Sequence, residues 1–198
     1  MLTAALVLLM TPGLAFFYGG MVKAKSVVSM MMLSFGSLGL IGVLWVIYGY
    51  AIAFSNGGTK TFLGIDGWFG IDTDYIGLAA QVKDAAAPTG AFPQLAFVAF
   101  QATFAIITVA LISGAIADRA KFGAWMVFAG LWATIVYFPV ANWVFNFTLV
   151  DGKMVDGGWI VYGLGVIDFA GGTAVHINAG AAGLALAIVL GKRFGFSK

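Results

Sequence analysis

The chain contains no cysteine, no glutamate and a single histidine, His176. Without cysteine there can be no disulfide, no thiolate metal site and no cysteine nucleophile. Charge of either sign is also scarce. The 198 residues carry ten basic and eight acidic side chains, and all the acids are aspartate. At 9% charged, against roughly 25% for an ordinary soluble domain, the chain cannot wet the surface of a globule. A net charge of +2 is too small for a nucleic-acid binder, so no nucleic-acid partner is expected. What is plentiful is apolar: 62% of residues are hydrophobic, 18 of them phenylalanine. That excludes disorder and leaves a membrane protein.

The charges fall in clusters. Residues 1–22, 26–59, 85–117, 122–150 and 169–191 carry none. Each stretch holds one helix of roughly 20 residues, the length that crosses a bilayer. The expected fold is therefore an all-α polytopic bundle of five spans, about 2–22, 27–54, 93–117, 122–146 and 169–190. Loops at about 55–92 and 147–168 share one side. Gly39 and Gly42 could mark a turn back, but glycine is common inside membrane helices. The first stretch has no charged leader and no small-residue cleavage pattern, so it reads as a span and not a signal peptide. Lys23, Lys25, Arg119, Lys121, Lys192, Arg193 and Lys198 lie on one side, and Lys60, Lys83 and Lys153 on the other. The positive-inside rule puts the larger group in the cytoplasm, with the N-terminus outside and the last residues inside.

On the outer side, Asn56-Gly57-Gly58 signals a turn, and Asp66, Asp72, Asp74 and Asp84 suggest a solvated cap over 60–92. Pro88 and Pro93 frame the start of the third span. A second outer loop carries Asp151, Lys153 and Asp156, and segment 159–167 is expected at the interface. No phosphate loop, metal-ligand cluster or serine elbow is present. Neither enzyme activity nor a cofactor or metal is expected.

Polar groups inside the spans are the candidates for function. His176 lies eight residues past Asp168, roughly 12 Å if the rise is helical. An ionisable group at such depth usually faces the bundle interior or a pathway. Gly172 and Gly180 flank it at four-residue spacing on the same face, a groove suited to close packing. Asn178 adds a further polar group. The competing reading is helix glue, a histidine bonded to a neighbour. Asp168 is placed to cap the fifth helix, and also to add negative potential where a cation would approach. Phe100, Phe104 and the phenylalanines from Phe122 to Phe128 read as lipid-facing or packing residues, whereas Trp143, Phe145, Phe147 and Trp159, near the outer interface, form either an ordinary aromatic belt or a cation–π cup. Gln101, Thr103, Asn142 and Asn146 suggest a polar collar at one depth.

Five segments carry a resemblance. They are Thr11-Pro12-Gly13-Leu14-Ala15-Phe16-Phe17-Tyr18-Gly19-Gly20, Phe100-Gln101-Ala102-Thr103-Phe104-Ala105, Ala117-Asp118-Arg119-Ala120-Lys121, Asp168-Phe169-Ala170-Gly171-Gly172 and Val175-His176-Ile177-Asn178-Ala179-Gly180. In these, and in their order, the chain resembles ammonium transporters of the Amt/Mep/Rh superfamily. The resemblance implies an eleven-span fold with the N-terminus outside, built from an inverted repeat around a pore and assembled as a homotrimer in the cell membrane. The five spans here correspond to the first repeat. The sequence ends at Lys198, so a fragment or one piece of a split gene is expected, inactive alone.

Carried over by position, His176 matches the first of a pore histidine pair. Phe104 matches the outer gating phenylalanine, and Asp168 the aspartate beneath the outer site. Phe145 stands where the family offers a tryptophan as a cation–π wall, which implies a weaker outer site. The implied substrate is ammonium/ammonia or methylammonium. The implied partner is a nitrogen-regulatory signalling protein at the cytoplasmic face. An ammonium sensor on the same fold and a non-transporting membrane scaffold remain the alternatives.

Overall fold

The computed structural model describes residues 1–55, 70–83 and 92–193. The turn signal at Asn56, together with Lys60, Asp66, Asp84, Pro88 and Lys198, lies outside the described residues, and so does the side chain of Lys83. Among the described residues, five helices are long and apolar enough to cross a membrane: α1 (Leu2–Gly20), α2 (Ala24–Ala53), α3 (Gln94–Ile116), α4 (Phe122–Phe145) and α5 (Gly172–Leu190). Helix α2 runs through Gly39 and Gly42 without turning back.

Helix α3 is the hub, in contact with α1, α2 and α5. Its residues from Ala105 to Ala110 are buried all round, and small side chains among them let neighbouring backbones approach. In lipid no hydrophobic force separates an inner from an outer face, so polar contacts and small residues decide which faces meet. Tyr18 of α1 donates to the Leu111 carbonyl of α3 at 3.0 Å. A Cβ on Gly114 would stand 2.6 Å from the Tyr18 ring, so glycine is required where α1 crosses α3.

Helices α2 and α4 are joined along their length. Trp125 Nε1 donates to Leu33 O at 3.0 Å and to Ser37 Oγ at 3.1 Å. Further along, the Tyr48 and Thr134 hydroxyls hydrogen-bond at 2.8 Å. Each helix widens to π geometry there, over Trp45–Gly49 in α2 and Ala133–Tyr137 in α4. Trp45 and Phe138 pack edge-on across the seam, with ring centroids 5.7 Å apart.

Two features depart from the sequence reading. Segment 70–83 is more than a solvated cap. Asp72 N donates to Ala51 O at 3.0 Å, the Tyr75 and Tyr50 rings lie 5.7 Å apart, and Leu78 and Gln81 are buried. The loop after α4, expected on the outer side, is a β-hairpin of antiparallel strands β1 (Phe147–Val150) and β2 (Lys153–Gly157). Asp151 and Gly152 form its turn, both at positive φ (51° and 75°). Asp-Gly between apolar runs is a strong hairpin signal, and it was present in the sequence.

Candidate functional site

The site begins where the chain enters α5. Asp168 accepts three backbone N–H bonds. Oδ1 takes Gly171 N at 2.7 Å, and Oδ2 takes Thr173 N and Ala174 N, each at 2.9 Å. These are donors that a helix start leaves unsatisfied. The backbone N-cap is Gly171 and not Asp168, so the carboxylate reaches in from three residues upstream. Gly171 has φ +83°, a left-handed turn that a side chain would strain.

The first stretch of α5, Gly172–Ile177, is π-helical, and both Val175 N and His176 N donate to Gly171 O at 3.0 Å. This alters the estimated depth of His176. The four residues after Asp168 are not all helical, so the histidine is the fifth residue of α5 and not the eighth of an uninterrupted helix. π-Bulges in α-helices concentrate at functional positions.

Ala174 and Val175 are buried, whereas Gly172, His176 and Gly180 are all exposed on one open face. The imidazole makes no side-chain hydrogen bond or ring contact with any described residue. The expected close packing at Gly172 and Gly180 is not found among the described residues, since a Cβ at either would meet nothing within 4 Å. The tight glycine of this helix is Gly183, whose Cβ would lie 3.2 Å from that of Ala115 on α3. Buried side chains on the opposite face anchor α5, and the histidine face is left open.

The aromatic candidates divide into two groups. Phe100 and Phe104 pack edge-on at 5.0 Å, and Phe104 meets Phe145 at 6.5 Å, in a continuous row from α3 to the end of α4. Trp143 turns elsewhere, to Trp159 at 5.7 Å. Phe104 and Phe145 therefore come together, apart from the Trp143–Trp159 pair. No ring contact joins Phe104 or Phe145 to His176 among the described residues.

The expected polar collar is not formed by the asparagines. Asn142 Nδ2 donates to the carbonyls of Ile52, Ala53 and Ser55 at 3.3, 3.2 and 3.0 Å, and Asn146 Nδ2 to Ser55 O at 2.7 Å. Both side chains are committed to closing the end of α2. Thr103 is likewise turned onto its own helix, donating to Phe100 O at 2.6 Å. In the sequence Arg119 was marked only as one of the charges between spans, not as a clamp. Its Nη1 and Nη2 donate to Gly191 O and Ala115 O, tying the ends of α5 and α3 together. A basic residue beside a helix C-terminus is the sequence signal for that role.

The whole chain, residues 1–198, matches the family described as Ammonium Transporter Family. Over 204 aligned positions it is 57% identical to a Mycobacterium bovis protein named ammonium transporter, covering 99% of this chain and 42% of that one. The chain thus spans about two fifths of the length of the curated relatives it matches. Among solved structures, that of Candida albicans Mep2 superposes with a TM-score of 0.75 at 32% identity, over 96% of this chain and 38% of that one. A structure described as a sensor Amt protein superposes with a TM-score of 0.79 at 24% identity, over 97% and 43% respectively, a likeness of fold alone.

Proposed function

The chain belongs to the ammonium transporter family, and from that premise we propose that its five helices form one wall of a path carrying ammonium and ammonia through each subunit. One observation carries the reading. The only histidine of the chain stands on an open helix face between two glycines, with no side-chain hydrogen bond or ring contact among the described residues, while the opposite face anchors the helix. A histidine serving as glue would be bonded to a neighbour.

The chemistry follows from the cost of charge. Ammonium is drawn to the Phe104–Phe145 aromatic row by cation–π attraction. Phenylalanine at 145 gives a weaker face than tryptophan would. The Asp168 carboxylate, held by three N–H groups, adds negative potential at the same end of α5. A bare cation is too costly in a dry passage. The proton is therefore shed and crosses by a separate relay, while ammonia passes along His176 and a second histidine from the rest of the complete protein, so that one positive charge crosses per ammonium. The two imidazoles supply alternating donors and acceptors. Potassium has no proton to shed and is excluded. The proposal extends to a homotrimer in the cell membrane with the N-terminus outside, and to a nitrogen-regulatory signalling protein docking at the cytoplasmic face.

Reconstituted in vesicles, the complete protein should take up methylammonium, while residues 1–198 alone should stay at the level of empty vesicles. Absence of uptake by the complete protein would overturn transport. Uptake by residues 1–198 would overturn the need for a second wall.

A further inference from the structure

Phe145 is the last residue of α4. Helix ends fray, so a ring at that position keeps a fixed distance to its neighbours only if something pins the turn that carries it. The next residue, Asn146, has already left helical geometry, with φ −89° and ψ 113°.

Two amides do the pinning. Asn142 lies three residues before Phe145 and Asn146 one after it, and both are buried. Ser55 O accepts from both, from Asn142 Nδ2 at 3.0 Å and from Asn146 Nδ2 at 2.7 Å. Asn142 Nδ2 also reaches Ile52 O and Ala53 O. A helix leaves its last carbonyls without intrahelical donors, and α2 ends at Ala53. The amides of α4 serve as those donors. Two further bonds close the knot. Ser55 Oγ donates to Gly70 O at 3.1 Å, and Gly158 N donates to Asn146 O at 2.9 Å. Phe145 stands on the same turn, beside this anchored face, and meets Phe104 of α3 at 6.5 Å.

We propose that Asn142 and Asn146 are positioning residues for the aromatic row: they pin the last turn of α4 to the end of α2 and so hold Phe145 against Phe104. The inference rests on the reading of that row as the face that recruits ammonium. Cation–π attraction needs the ion within roughly 6 Å of a ring centroid, so a ring free to swing away loses it. Neither amide touches the substrate; both act through the ring.

The test uses the complete protein in vesicles, with KM and maximal rate of methylammonium uptake measured beside thermal unfolding. Asn146→Ala removes one anchor and leaves Asn142 to serve Ser55 O. It should raise KM about 3- to 10-fold, the worth of one hydrogen bond, and keep the maximal rate per folded protein within about twofold of wild type. A role in stability alone would lower the unfolding temperature and leave KM in place. In a Phe145→Ala background, whose own KM is raised, Asn146→Ala should add nothing, because no ring is left to misplace. If Asn146→Ala does not fold, Asn146→Gln, which keeps the donor on a longer arm, should show the same rise. An unchanged KM in the folded variant, or an equal further rise with Phe145 gone, would overturn the positioning role and leave transport standing. Absence of uptake by the wild type would overturn the transport reading and this inference with it.

Discussion

At Asp168 one carboxylate occupies three backbone N–H groups, those of Gly171, Thr173 and Ala174. Removing it orphans donors at the start of the helix that carries His176. Asp168→Ala should therefore lower the stability of the complete protein by about 0.5–2 kcal/mol, read from thermal unfolding. An unchanged unfolding temperature would show that water serves these donors equally well. Asp168 was readable from sequence because its partners are local, a few residues on. Asn142 was not, because its partners are carbonyls at the end of α2, some 90 residues away in the chain. A polar side chain in a span announces that it needs a partner, but not which one. The same gap turned Asn142 and Asn146 into an apparent collar, when their amides in fact close a helix end.

The five helices were legible because charge interrupts the apolar runs, and each run is about the length a bilayer requires. Their internal geometry was not. The π turns at Trp45–Gly49, Ala133–Tyr137 and Gly172–Ile177 leave no mark in a sequence that is apolar on every face. The β1–β2 hairpin had a local signal in Asp151-Gly152, but its docking depends on a distant contact. At Gly158, where the chain leaves β2, an added Cβ would stand 2.3 Å from Asn142 O and 2.4 Å from Trp143 Cα. Both are backbone atoms and cannot swing aside. Gly158→Ala should cost about 1–3 kcal/mol by prying the hairpin from the end of α4. Gly163→Ala, whose Cβ would meet Trp159 Cβ at an ordinary 3.9 Å, is the control and should be near neutral in the same thermal unfolding assay. Equal midpoints for the two variants would mean that the hairpin is not docked as described.

For the whole molecule, composition identified the medium but not the inside of the bundle. Phe16 and Phe17 are exposed while Ile107 is buried, and hydrophobicity alone ranks them alike. The orientation rests on the basic residues, and it is directly measurable in a complete protein freed of any further cysteine, since residues 1–198 contribute none. With Cys placed singly at Lys23, Asp72 or Lys121 of the complete protein, an impermeant thiol reagent added outside intact cells should label position 72 and spare 23 and 121; the reverse pattern would invert the topology. The central claim is that the open face of α5 lines a path from which bare cations are excluded at the His176 imidazole. A carboxylate in its place would tolerate a bare cation. The imidazole is exposed and makes no side-chain hydrogen bond, ion pair or ring contact among the described residues, so His176→Asp should leave the unfolding temperature unchanged. The decisive measurement is the reversal potential of the complete protein under opposed ammonium and potassium gradients. Wild type should follow ammonium alone, and folded His176→Asp should shift toward the potassium potential. A variant that still excludes potassium, or one that simply unfolds, would make His176 a packing residue and contradict the account.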